Sequence, residues 1–458
     1  MTRMMHLGTI VGAAGHHVAG WRMPDAEFGS QNLELITRIV KTWEDAKFDL
    51  IFFADAVNTG LDAHPTHMLR LEPLTLLGAL CMTTSKIGLV ATVSTTYSQP
   101  YNVARMLASI DHMSKGRGGW NVVTGSSPDA AANFGTDPHP EHASRYARAA
   151  EHVEICKGLW DTWEDDAYIA DKATGRYVDG DKMHVLNYRG THLSSSGPLN
   201  ITRPPQGYPV IMQAGASPTG KTFAAASAEV VFATQQVVED AVAFAEDLKD
   251  RTEAAGRPRD AIRLMLGVSP VIGRTREEAQ EKLAELAALV DPVAALRVLS
   301  DRIGTDLSAY DLDGPVPDLP PSGMMQGHTV VLQAVAKKYD MTIRQLRDYA
   351  AVSSGHRLVF GTAEDIADDL EAWWRAGACD GFIILPPYYM RPQEEFCEQV
   401  VPILQERGLF RTEYEGSTLR EHLGLDRPAH PAAQARPSAR AGRAGSRGRR
   451  GRAQSCRS

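Results

Sequence analysis

Eight short apolar runs punctuate this chain, and amphipathic stretches separate them. The runs are Leu7–Val11, Leu50–Phe53, Ile87–Val93, Trp120–Val123, Val210–Gln213, Val230–Ala233, Ile262–Val271 and Phe382–Leu385. Most are continuously apolar rather than alternating, which suits parallel strands covered on both faces. Segments with helical period lie between them, such as Asn32–Lys47, Arg145–Trp163 and Asp240–Ala255. This alternation predicts an α/β fold, a (β/α)8 barrel, with its site at the C-terminal ends of the strands. A doubly wound open sheet is the structural rival, but the G-x-G-x-x-G fingerprint of that fold is absent.

Two stretches break the rhythm, and both read as insertions over the barrel mouth. Residues 165–209 are polar and rich in Gly and Ser. Residues 291–326 hold Asp-Leu-Asp-Gly-Pro-Val-Pro-Asp-Leu-Pro-Pro-Ser-Gly, too proline-rich for a helix or a central strand. A loop that long is a lid or a plain surface insertion, and its place before the last strand favours the lid. Residues 1–427 therefore read as one barrel domain. Residues 428–458 form an Arg/Ala/Pro/Gly-rich tail with eight arginines and no acid, which composition marks as disordered. Setting those eight charges aside leaves a body near −16 within a chain of net charge −8. A body that acidic argues against nucleic-acid binding by the folded part. No apolar run is long enough to span a membrane, and the N-terminus lacks a signal-peptide pattern. Five scattered cysteines without a Cys-x-x-Cys pair suit free thiols in a reducing cytoplasm, not a zinc site.

Polar residues at strand ends are the candidates for chemistry. Lys115–Gly125 reads as a turn, a buried strand and a polar loop. Small residues there let a planar ligand approach the backbone, and Asn121 and Thr124 can bond its edge. An ordinary strand-to-loop transition is the alternative. Asp55 directly follows the apolar Leu50–Phe53, where it could cap the next segment or touch a ligand. Thr92, Ser94 and Thr95 place hydroxyls at the end of the third run, and Tyr97 and Tyr101 follow. His16 and His17 precede Trp21, but no further metal ligands lie at helical spacing, so metal binding is not implied. His328 sits in a glycine-flanked turn, and Tyr388 and Tyr389 end the last run as substrate walls or as packing.

Gly215-Ala216-Ser217-Pro218-Thr219-Gly220-Lys221-Thr222 matches the Walker A pattern letter for letter, after an apolar run and before a helix. Taken alone it predicts a nucleoside triphosphatase. Its position, some 200 residues into the chain, opposes that. So does the lack of a later apolar strand ending in a Mg2+-binding Asp. The same backbone amides and helix N-terminus would hold any phosphate.

Gly116–Gly135, "GRGGWNVVTGSSPDAAANFG", and Arg411–Leu425, "RTEYEGSTLREHLGL", resemble motifs of a group within the bacterial-luciferase-like flavin monooxygenases. That group contains the nitrilotriacetate and dibenzothiophene-sulfone monooxygenases. The resemblance runs over roughly residues 5–427. It implies a two-component enzyme that takes reduced flavin mononucleotide (FMNH2) from a separate NAD(P)H-dependent flavin reductase. With O2 it would oxidise a small organic molecule, by C–S, C–N or C–halogen cleavage. By this resemblance Asp55, Thr92, Asn121, Thr124 and Tyr146 border the flavin ring, and Gly215, Ala216 and Ser217 hold its phosphate. His17, Tyr146 and His328 orient the oxygenated flavin or the substrate, and Phe52 and Phe53 pack beneath. A homodimer or homotetramer is implied in the same way. Few cations stand at the loop ends (Arg22, Arg105, Lys221), so the inventory leans toward an apolar or aromatic substrate. A non-catalytic flavin or deazaflavin binder is the remaining alternative.

Overall fold

The computed structural model describes residues 3–12, 15–60, 68–125, 127–135, 138–317, 332–337, 339–353 and 355–435. Eight parallel strands form a ring: β1 His6–Ile10, β2 Leu50–Phe53, β3 Gly88–Ser94, β4 Gly118–Val123, β5 Val210–Gln213, β6 Val230–Ala233, β7 Arg263–Ile272 and β8 Gly381–Ile384. Each pairs with its successor, and β8 returns to β1 with Gly381 opposite His6. The sheet is therefore closed, as the apolar runs predicted, and the two sets of limits agree to within two residues.

Burial on two faces explains the unbroken apolar runs. Ile10, Leu50, Phe52, Val90, Met212 and Met265 point inward and fill the barrel. Their neighbours Ile51, Phe53, Leu89, Ala91, Ile211 and Leu266 point outward into the shell of helices. A pleat turns successive side chains to opposite faces, so both registers must be apolar when both faces are dry.

The N-terminal end of the barrel is stoppered by the chain's own C-terminal segment. Leu419 and Leu423 join the interior cluster. A side chain at Gly88, at the start of β3, would run into Leu419 (2.4 Å), whereas one at Gly119 in β4 would meet Val90 first (2.8 Å). Thr418 and Glu421 form a capping box on the short helix Leu419–His422. Arg420 forks onto Glu229, and its backbone N–H donates to Gln206 Oε1 (2.9 Å).

Three features depart from the sequence reading. A ninth strand, Arg357–Gly361, extends alongside the C-terminal half of β7. Residues 291–326 are not wholly irregular, because Pro292–Ile303 is a helix. Asp291 caps it, and Pro292 stands at the first position, where a missing N–H costs nothing. That helix packs with Ile343–Ser353 around Leu299, Ile303, Leu307, Ile343 and Leu346, a small core of its own. The part of the expected lid at 318–326 lies outside the described residues. The tail reading also changes at its start. Pro428 accepts from Arg203 (3.0 Å), and His430 bonds the Asp161 carbonyl (2.9 Å), so the chain is anchored to the body beyond residue 427. Residues 165–209 carry two small antiparallel ribbons, Tyr168–Asp171 with Arg176–Val178 and Tyr188–Arg189 with Ser194–Ser195. Among the described residues no helix is long and apolar enough to cross a membrane.

Candidate active site

A cavity of about 380 Å3 opens at the C-terminal ends of β2 to β6. Pockets for small organic ligands commonly start near that size. Its floor and walls come from strand-end residues, because the interior cluster closes the barrel below. Phe232 of β6 lines the cavity and packs edge-on against Phe52 beneath it (5.6 Å between centroids).

Asp55, Thr92, Thr124, Tyr146, Gly215, Ala216 and Ser217 all line this one cavity, although they come from five different segments. Asn121 lies beside Thr92 and donates to its Oγ1 (2.9 Å), so it reaches the cavity through that hydroxyl. Burial pushes the Asp55 carboxyl above the usual range, and Arg70 only partly opposes it. Burial also raises the Tyr146 phenol, whose hydroxyl meets Ser217 and Thr124.

The turn after β5 is built for an anion. Ser217 caps the helix Pro218–Ser227, accepting from the Gly220 N–H (3.1 Å), with Pro218 at the first helical position. Gly215, Ala216 and Ser217, which lead into the helix N-terminus, line the cavity wall, and a helix N-terminus favours an anion. Lys221, however, turns away. Its ammonium pairs with Asp247 and lies over the Phe244 ring (5.3 Å), while Thr222 donates back to Pro218 (3.0 Å). A Walker A lysine must reach phosphate and its hydroxyl must reach Mg2+, and here both are spent on the protein. The letter-perfect motif thus has the loop and helix start of that pattern without its nucleotide-triphosphate parts.

Of the two proposed orienting histidines, His17 is not among the residues that line this cavity. His17 is fully buried; its N–H donates to Pro387 (2.9 Å) and its Nδ1 accepts from Ala19 (3.0 Å). His328 lies outside the described residues. His16 bonds the Ile10 carbonyl (3.0 Å), and burial pushes its pKa down to about 4. Tyr389 is buried, donating to Ile10 (3.0 Å), and Tyr388 donates to Asp25 (3.3 Å). Both are packing groups here. Among the described residues no three His, Cys, Asp or Glu groups come close enough to hold a metal.

The structure adds lining residues that the motifs did not single out. Gln213 and Thr234 stand at or just past the ends of β5 and β6. The rule that selected Asp55, a polar residue ending an apolar run, applies equally to them. Arg145 is the larger surprise, a cation against the cavity wall from the helix His142–Trp160. No local pattern marks it, since it is an arginine in a polar helical turn.

Ser94 Oγ, Asn121 Oδ1 and Gln213 Oε1 are buried at the strand ends with no hydrogen-bond partner among the described residues, and Ser94 and Gln213 line the cavity. Unmet polar atoms at a cavity floor are unusual and call for a ligand with polar edges. Together with an anion turn on one wall, they fit a flat heteroaromatic ring carrying a phosphate.

The family model for luciferase-like monooxygenases matches residues 10–379. The chain is 48% identical over 432 residues to N-acetyl-S-(2-succino)cysteine monooxygenase of Bacillus subtilis (strain 168), covering 93% of this chain and 98% of that one. It is 44% identical over 449 residues to nitrilotriacetate monooxygenase component A of Aminobacter aminovorans, covering 94% and 99%. A crystal structure of riboflavin lyase with modified FMN and riboflavin superposes with a TM-score of 0.84 at 34% identity, covering 94% of this chain and 99% of that chain.

Proposed function

Because the chain belongs to the luciferase-like monooxygenase family, we propose that it is an oxidoreductase using FMNH2 and O2 to oxidise a small carboxylated thioether or amine. The carrying observation is one cavity lined by the Gly215–Ser217 turn and by Ser94 and Gln213, whose buried Oγ and Oε1 have no partner among the described residues. Bound there, the reduced flavin supplies two electrons to O2, so that one oxygen atom enters the substrate and the other leaves as water. The amides of Ala216 and Ser217 and the helix behind them would hold the phosphate. Asp55, Thr92, Asn121 and Thr124 would fix the ring edge, and Phe232 over Phe52 supports its face. Tyr146, held by Ser217 and Thr124, sits where it can join phosphate binding to orientation of the ring. Hydroxylation at the carbon next to sulfur or nitrogen would let the C–S or C–N bond break, with the carbon leaving as a carbonyl.

The preference for a carboxylated substrate replaces the apolar lean of the sequence inventory. Arg145 lines the cavity, and the names of the 48% and 44% relatives both denote carboxylate-bearing substrates. A separate NAD(P)H-dependent reductase would supply the flavin, in keeping with a relative named as component A. A cytoplasmic homodimer or homotetramer completes the reading; light scattering on the purified protein checks the assembly.

Oxygen uptake is the direct test. With a generic flavin reductase, NADH and FMN, uptake should couple to turnover of N-acetyl-S-(2-succino)cysteine or a near analogue. Failure of both oxidised FMN and FMNH2 to bind would sink the proposal, and binding without coupled turnover of any carboxylated thioether or amine would leave only a flavin carrier. Lys221→Ala discriminates the triphosphatase reading. It should leave FMN affinity within about threefold, because the ammonium is already paired with Asp247. A triphosphatase would instead lose ATP hydrolysis with that change.

A further inference from the structure

We propose that Arg145, Tyr97 and His139 form a carboxylate-binding subsite for the substrate, distinct from the phosphate turn. The proposal rests on the flavin reading above and assigns a charge that reading leaves unspent.

Arg145 is 7% exposed and lines the cavity. Its Nη1 donates to the Gly125 carbonyl and to His139 Nε2. Its Nε is buried without a partner, and among the described residues no carboxylate lies within ion-pair distance of it. Among the described residues its Nη2 has no hydrogen-bond partner either. Nearly every other buried arginine here has its acid: Arg203 has Asp161, Arg357 has Asp369, and Arg420 has Glu229. A guanidinium removed from water with no counter-ion is costly unless a ligand supplies the charge. Burial lowers its proton affinity, and only Tyr146 and Tyr97 pull the other way.

The histidine fixes the polarity of its neighbours. Arginine has only donors, so His139 Nε2 must accept and carry no hydrogen. Burial and Arg145 both lower the His139 pKa, which keeps the ring neutral. The ring hydrogen then sits on Nδ1, 2.6 Å from the Tyr97 oxygen, and is donated to it. Tyr97 consequently keeps its own O–H free. Its ring stacks on Phe134 (4.7 Å, 18°), which holds the hydroxyl in place. Two unspent guanidinium nitrogens and one phenol hydrogen thus remain at the same wall. That donor set matches a carboxylate, which has acceptors only.

The phosphate does not need this group. Tyr146 reaches Ser217, whereas Arg145, one residue earlier on the same helix, turns to Gly125 at the end of β4. The flavin anion is served by the turn after β5, and the arginine is left for a second anion.

Calorimetry on the FMN-loaded protein tests this, with N-acetyl-S-(2-succino)cysteine and its methyl triester as probes. Arg145→Gln should weaken acid binding roughly 10- to 100-fold while FMN affinity stays within about threefold. Arg145→Lys should recover part of the loss, since it keeps the charge without the fork. Tyr97→Phe should weaken acid binding about three- to tenfold. The triester should bind all variants alike. Loss of FMN affinity with acid binding intact would overturn the proposal and hand Arg145 to the phosphate. Equal binding of acid and triester by the unaltered protein, including none of either, would also overturn it. If the unaltered protein does not bind FMN, the flavin reading itself has failed, and that is measured first.

Discussion

Ser217→Asp is expected to remove FMN binding while leaving the fold unharmed. Ser217 is the N-cap of Pro218–Ser227 and accepts from Gly220. Aspartate caps helices as well as serine does, and its charge suits the positive end of the helix dipole. The melting temperature should therefore hold or rise slightly. The same carboxylate would stand where the turn amides meet a phosphate. Two like charges about 4 Å apart at a partly screened site oppose each other by several kcal/mol. A loss of affinity of roughly 100-fold or more follows. Riboflavin, which lacks the phosphate, is the control and should lose little. Equal weakening of FMN and riboflavin would mean that the turn does not hold the anion, and the cofactor assignment would have to be redrawn.

The second large effect concerns stability. Asp49 is fully buried, directly before β2. It accepts from the Leu7 N–H (2.8 Å), from His6 Nδ1 (3.1 Å) and from Arg411. It thereby fastens the C-terminal segment, which stoppers the barrel, to the first two strands. Asp49→Ala would leave Arg411 and His6 facing a void. Removing one partner of a buried charged pair costs about 3–5 kcal/mol, and chemical denaturation should show a loss of that order. The pH dependence has a defined sign. Burial alone would raise the Asp49 pKa, but Arg411 and His6 outweigh it and hold the folded-state value below the ordinary one. A depressed folded-state pKa gives stability that is present above the unfolded value, about 3.9, and lost as pH falls through the folded one. The gap between the native protein and Asp49→Ala should therefore be full at neutral pH and close in acid below about pH 4. A gap independent of pH would show that packing, not charge, is what Asp49 provides.

Strand ends carried more of the site in the sequence than the motifs did. Asp55 and Thr92 were legible because a polar residue closing an apolar run has few structural reasons to be there. Gln213 and Thr234 obey the same rule and line the same cavity. The Walker-like string shows the opposite hazard. Its backbone forms the loop and helix start the letters imply, but the fate of Lys221 depends on Asp247, 26 residues away on another helix. Within 291–326 the proline-rich string, as far as residue 317, is neither helix nor strand, but Pro292–Ile303 ahead of it is a helix that Asp291 caps.

The barrel was written into the chain by itself. Eight runs apolar on both registers can be satisfied only by strands dry on both faces, and interposed helices supply the second face. The group motif near the C-terminus was equally plain as a string, but its physical purpose was not. That Leu419 and Leu423 enter the barrel floor, and that Gly88 makes room for Leu419, required the folded arrangement. The same holds for Arg145. Charge is a local property of a sequence, whereas the absence of a counter-ion is a property of everything that packs around it.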